Sequence, residues 1–340
     1  MVARGVIRFG SRPAIRAVAV AAGPTENKHS PFSLQFDRLY DSDLCGQKTN
    51  EQAHRKLIED ACGLAVNKAG KTISDADYLV CGDLVNEMTP SNFAAATTGL
   101  PYVGLFSACA TSTSALAYAA LLSEAGASTL VLAGAASHHN AIERQFRYPI
   151  EYGFQKPQNA QWTVTAAGIA AVTPHEEGYP SIRQATIGRV VDYGLTDPLN
   201  MGAAMAPAAF DTFRRHLEAA GAEPEDYDVI ITGDLGAIGT QLFRNMASES
   251  GYTVDGDRWR DAGKEFYGED PSFFAGASGA GCSAAVYFSD VYNRMMEGEY
   301  RRALLMATGA LLSPLSFQQG ESIPCTCHAI ELVMGEGESR

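Results

Sequence analysis

The sequence predicts an α/β protein assembled from two similar halves. One observation is a gapless internal repeat: "AGKTISDADYLVCGDL" (69–84) matches "AGAEPEDYDVIITGDL" (220–235), with Asp75 falling on Asp226 and Gly82-Asp83-Leu84 on Gly233-Asp234-Leu235. Another is that short β-branched runs such as "YLV" and "DVIIT" alternate with longer stretches of helical spacing, the pattern of buried strands in layered folds. The third is size, since 340 residues suit two packed halves better than one small core.

In chain order, "AVAVAA" after Arg16 reads as the first strand. Its arginine-rich approach invites comparison with a signal peptide, but six apolar residues fall short of the roughly 7–15 that such a segment needs. Thr49 and Gln52 stand at capping-box spacing ahead of a helix that ends at Gly70, and a second helix is expected to start near Pro207 and end at Gly221. Further matches extend the repeat: "STLVLAGAAS" resembles "RALLMATGALLS", placing Gly134 on Gly309, and "IRAVAVAAGPTE" resembles "GRVVDYGLTDP" as a second extended run. Each half is therefore expected to run strand, helix, strand, helix, strand.

Composition narrows the function. Thirty-nine acidic against 26 basic residues give a formal charge of −13, and without a lysine- or arginine-rich block no surface for tracking nucleic acid is expected. The seven cysteines are irregularly spaced, and the pair Cys325 and Cys327 lacks CxxC spacing, so a reducing compartment and no structural metal are expected. No run approaches the roughly 18 apolar residues of a spanning helix, which leaves peripheral membrane association as the expected mode. "GASGAGCSA" is followed by no Lys-Ser/Thr pair, so it reads as tight packing at a helix entrance rather than a phosphate loop, with Cys282 structural.

The chemistry centres on "FSACATSTSAL". With "YVGLF" as a strand and Thr111 opening a helix, Cys109 sits on the turn between them, where free N–H groups and the helix dipole favour thiolate. Catalytic nucleophile and buried structural thiol both fit that placement.

The duplication, "SACATS" and "FFAGASGAGCSAA" together resemble the thiolase superfamily. That resemblance implies a duplicated thiolase-like five-layer αβαβα sandwich, with residues 1–180 as the half carrying Cys109 and 181–340 as the second half. "IERQFRYPIEYG", "QKP", "WTVTAAG", "GLTDPLNMGAAMAPAA", "ATGALLSP" and "QQGESIP" are similar, more narrowly, to the stage V sporulation protein AD family. Membership implies a spore component handling dipicolinic acid (pyridine-2,6-dicarboxylate), bound as such or as its calcium chelate. It also implies a homodimer at the periphery of the forespore or spore inner membrane, beside other stage V sporulation membrane proteins, acting in uptake during sporulation and release in germination. No cofactor is expected.

Against the enzymes of the superfamily, Phe273 stands where the thiolase histidine falls, and a phenyl ring moves no proton. The other histidine position falls near Gly233, and "IPCTCHAIELV" replaces a glycine-rich segment. Proton transfer commonly supplies about 10²–10⁴-fold in rate. The expected activity is therefore ligand binding in a degenerate pocket, with Cys109 at its floor and His138, His139, Arg144, Phe273 and His328 around it. Arg147 joins the cations of the "SHHNAIERQFRYP" loop. Cys325, Cys327 and His328 are expected on one face of a strand. An active acyltransferase using Cys109, with His328 or His138 moving protons, is the alternative.

Overall fold

The computed structural model describes residues 4–146, 156–254 and 256–335. Within them the strands of the first repeat are β1 (Ala14–Ala22), β2 (Tyr78–Gly82), β3 (Tyr102–Gly104), β4 (Val131–Ser137) and β5 (Ala166–Thr173). Those of the second are β6 (Ser181–Ile187), β7 (Val229–Thr232), β8 (Trp259–Asp261), β9 (Arg302–Ala310) and β10 (Cys325–Val333). They hydrogen-bond in the order β8-β7-β9-β10-β6-β1-β5-β4-β2-β3. The path narrows between β6 and β1 to the single pair Ala14 and Ser181. On each side the same logic holds: β2 lies parallel to β3 and β4, β7 parallel to β8 and β9, and the remaining neighbours are antiparallel. Neither β2 nor β7 is an edge strand.

Helices α1 (Asn50–Lys68) and α2 (Thr89–Thr98) cover one outer face, and α5 (Met201–Ala220) and α6 (Gly236–Glu249) the other. Between the sheets lie α3 (Thr111–Glu124) and α7 (Ala280–Val286), the latter prolonged by a π-helical turn, Tyr287–Val291. The two inner helices meet through Ser112 Oγ and Ser283 Oγ at 2.7 Å. Helix α4 (His139–Phe146) follows β4. These are the five layers expected of the duplicated sandwich.

Local chemistry explains the repeats. The Thr49 side chain accepts from the Gln52 N–H at 3.2 Å, capping α1, whose residues Ala53, Leu57, Ile58, Ala61, Ala65 and Val66 are buried against the sheet. Each buried Leu or Ile there contributes about 1.5–3 kcal/mol. Gly70 and Gly221 both adopt positive φ just beyond α1 and α5, where a side chain would be strained. Asp77 accepts the Leu130 N–H ahead of β4, and its counterpart Asp228 accepts the Arg302 N–H that opens β9.

Two expectations are corrected. Helix α5 begins at Met201, not near Pro207, which lies inside it. The extra turns are held by a close approach of helices: a Cβ on Gly202 would come within 2.4 Å of the Leu235 carbonyl, and one on Gly239 within 2.6 Å of the Gly202 carbonyl. The second counterpart of "AVAVAA" is "SIRQATI" in β6, whereas "GRVVDYG" is irregular, touching the sheet through the bridge between Val191 and Cys325.

Candidate functional site

Cys109 occupies the tight turn from β3 into α3. Thr111 fixes the turn: its hydroxyl donates to the Ala108 carbonyl at 2.6 Å and accepts from the Ser107 N–H at 3.2 Å. Ala108 takes a φ of 48°, which leaves little room beneath the loop. Gly309 on β9 supplies that room, since a Cβ there would lie 2.3 Å from the Ser107 carbonyl oxygen.

Above the turn is a cleft open to solvent. Leu84, Phe106, Ile142, Phe146, Met201 and Leu312 form its mostly apolar wall, and Cys109 is in its lining. Glu143, Thr163 and Ser278 bring the polar atoms. Glu143 is buried, accepts from the Thr163 hydroxyl at 2.8 Å and pairs with the Lys156 ammonium at 3.0 Å. Lys156 lies 4.6 Å from the centre of the Trp162 ring.

The electrostatics of the site favour the buried thiol over the thiolate. Burial, and then the carboxyl of Asp234, push the Cys109 thiol well above its ordinary range, outweighing the Gly279 N–H that would lower it. Asp234 is itself fully buried, accepts the Gly279 N–H at 3.2 Å, and is raised by burial to about 8. At neutral pH both groups therefore hold their protons. His328 accepts the Gly188 N–H at Nδ1 (3.1 Å), so its proton sits on Nε2, which faces Ser107 Oγ at 3.3 Å. Burial lowers its pKa to about 4 and keeps it neutral.

The other anticipated residues are dispersed. His138 is buried, its Nε2 2.8 Å from the Asp43 carbonyl and its ring beside His54. His139 stacks on Trp162, with centroids 4.0 Å apart. Arg144 pairs with Glu51 at the surface. Phe273 stacks on Tyr267 at 3.7 Å and meets His29 and Trp162 edge-on, and it lines a different recess, with Phe32 and Phe274, rather than the cleft. Arg147 lies outside the described residues. Cys325 and Cys327 face the outer core with α5, whereas His328 faces Ser107, because successive strand residues point to opposite sides. The shared face expected for all three is thus corrected.

Asp234, Glu143 and Lys156 escaped the sequence reading, although signals for them existed. The repeat pairs Asp234 with Asp83, a buried carboxyl that accepts from Ser91 and Val85. Glu143, Phe146, Lys156, Thr163, Met201, Ser278, Ala310 and Leu312 all fall inside the segments on which the resemblance rested. All of them line one cleft except Lys156, which reaches it through Glu143.

A family model described as stage V sporulation protein AD matches residues 3–333. The chain belongs to the stage V sporulation protein AD family. It is 42% identical over 325 residues to the Stage V sporulation protein AD of Bacillus subtilis (strain 168), covering 96% of this chain and 95% of that one. Among solved structures it resembles a variant of OleA from Xanthomonas campestris, with a TM-score of 0.61 and 14% identity over 96% of this chain and 99% of that one. Human mitochondrial 3-ketoacyl-CoA thiolase is similar at a TM-score of 0.59 and 10% identity, covering 97% and 100%. A 3-oxoacyl-[acyl-carrier-protein] synthase III from Aquifex aeolicus VF5 is similar at 0.55 and 15%, covering 94% and 99%. These likenesses establish the thiolase-like fold for this member of a sporulation family. Among the described residues no helix is long and apolar enough to cross a membrane.

Proposed function

We propose that the chain is a binding protein of sporulation whose Cys109 cleft takes dipicolinic acid and performs no acyl transfer. The observation that carries this reading is the mostly apolar cleft over a buried Cys109, whose thiol is kept from ionising first by burial and then by the carboxyl of Asp234. The apolar wall suits an aromatic ring, and the Ser278 hydroxyl in the lining is a neutral group able to donate to a carboxylate oxygen. A bare dianion fits this wall poorly, because Glu143 offsets Lys156 and one unit charge at 4 Å is worth about 4 kcal/mol at an effective dielectric near 20. In the one-to-one calcium chelate the metal cancels both carboxylate charges, so the chelate is the form the cleft favours.

On this reading the protein works at the periphery of the spore inner membrane, as a homodimer beside membrane partners of the same machinery, in uptake and later release of the acid. The alternative, acyl transfer, draws on the placement of Cys109 ahead of α3. Intact-mass spectrometry after incubation with acetyl- or malonyl-coenzyme A separates the two. An unmodified chain is expected; stoichiometric acylation that turns over would establish the enzyme instead.

A further inference from the structure

Two adjoining segments of the second repeat turn large apolar side chains outward. Val190 and Tyr193 are 61% and 66% exposed, and Leu315 and Phe317 are 64% and 48% exposed. The first pair follows β6, and the second stands on the short helix Pro314–Gln318 in the connection from β9 to β10. Apolar residues exposed singly are ordinary, whereas a group of them on neighbouring segments marks a contact surface.

Hydrogen bonds tie the segments together. Val191 and Cys325 exchange both backbone bonds at 2.8 Å, the Ile323 N–H donates to the Leu195 carbonyl at 2.8 Å, and the Ser322 hydroxyl donates to Asp192. The connection is closed by the Leu311 N–H on the Pro324 carbonyl at 2.8 Å, and Ser313 caps its helix by accepting the Ser316 N–H at 3.0 Å. The surface borders the cleft, because both segments run into its wall: Leu312 lies just ahead of Leu315 in the chain, and Met201 follows closely after Asp197.

Charge selects the occupant. Asp192, Asp197 and Glu321 lie on the same two segments, and among the described residues none of them meets a cation. Asp192 accepts from Ser322 and the Gly194 N–H, and Asp197 accepts the Leu199 N–H, neutral donors that leave each charge in place. Arg189, nearby in the chain, is paired with Asp211. An acidic rim of this kind repels an anionic lipid surface, and a twofold dimer closed through it would set the rim against its own copy. It attracts a segment that is apolar on one side and basic on the other, the chemistry of Lys- and Arg-rich stretches bordering membrane spans. From this we infer that the surface docks a basic amphipathic segment of a protein partner at the mouth of the Cys109 cleft. The inference rests on the reading of that cleft and gives the proposed membrane partners a place, where the ligand enters and leaves.

The test uses the full chain, the double variants Leu315→Gln/Phe317→Gln and Asp197→Asn/Glu321→Gln, and Leu34→Gln as a control at another exposed apolar side chain. The probe is a fluorescein-labelled amphipathic helix of leucine and lysine, about 14 residues long, titrated by fluorescence anisotropy beside the same peptide with glutamate in place of lysine. Saturable binding of the lysine peptide is expected, weakened at least about tenfold in Leu315→Gln/Phe317→Gln, weakened at low salt in Asp197→Asn/Glu321→Gln, and unchanged in Leu34→Gln. No saturable binding, equal binding of the glutamate peptide, or binding that Leu315→Gln/Phe317→Gln retains overturns the assignment. Flotation with phosphatidylglycerol vesicles and light scattering test the other occupants: vesicle binding, or an oligomeric state, that is lost in Leu315→Gln/Phe317→Gln would give the surface to lipid or to a second copy and overturn it as well. Neither side chain lines the cleft, so dipicolinic acid should bind this double variant as it binds the native chain, and failure here is distinguishable from failure of the cleft reading.

Discussion

Cys109 has the position of a nucleophile and the electrostatics of a buried thiol, burial being the larger cause and the carboxyl of Asp234 the next. Asp234→Asn removes the carboxyl that opposes ionisation, so the pH profile of iodoacetamide alkylation at Cys109 should move to lower pH. Each pKa unit of that movement gives about tenfold faster labelling below the midpoint; a profile that does not move would show that Asp234 leaves the thiol untouched. The same residue gives a stability signature. Its folded pKa of about 8 lies above the unfolded value near 3.9, so the stabilisation is complete below pH 4 and is lost as pH rises toward 8. The Asp234→Asn variant carries no such dependence. Urea melts should therefore show the variant gaining at least about 1.4 kcal/mol on the native chain between pH 4 and pH 8, whereas parallel pH curves would contradict the buried acid. The sequence showed Cys109 plainly, because strand, small residues and helix are local signals. Asp234 stayed hidden because its meeting with Cys109 depends on how the two halves pack.

At the scale of elements, the turns and caps that the repeat marks were legible because they are set by neighbouring residues: Thr49 on the Gln52 N–H, Gly70 and Gly221 beyond their helices. Gly221→Ala should cost about 1 kcal/mol, read from the urea midpoint, through its left-handed conformation. The start of α5 was not legible, since Pro207 ordinarily marks a first turn and only the Gly202 and Gly239 contact holds the earlier one. Gly309 joins element to site. Adding a methyl there drives into the Ser107 carbonyl, so Gly309→Ala should lower the melting temperature and displace the Cys109 turn, changing the labelling rate of the thiol. If neither quantity changes, β9 does not support the turn.

For the whole molecule, the two similar halves followed from the duplication and the five layers from the likeness to the thiolase superfamily. The composition of the cleft did not, because its wall draws on both repeats, and the histidines near one another in sequence are turned away from it. Strand β3 ends the sheet order, and Phe93 and Phe106 are about half exposed nearby in sequence. That edge is where the proposed homodimer would close. Light scattering at micromolar concentration should give twice the mass of the chain, and a monomer would remove that part of the proposal. The central claim, that the cleft binds dipicolinic acid instead of transferring acyl groups, is tested most directly by calorimetric titration of the acid, with and without calcium, into the native chain and Ala310→Leu, whose larger side chain fills the lining. The account predicts saturable one-to-one binding, tighter with calcium and at least about tenfold weaker in the folded variant; no saturable binding under either condition, or binding that the substitution leaves unchanged, would contradict it.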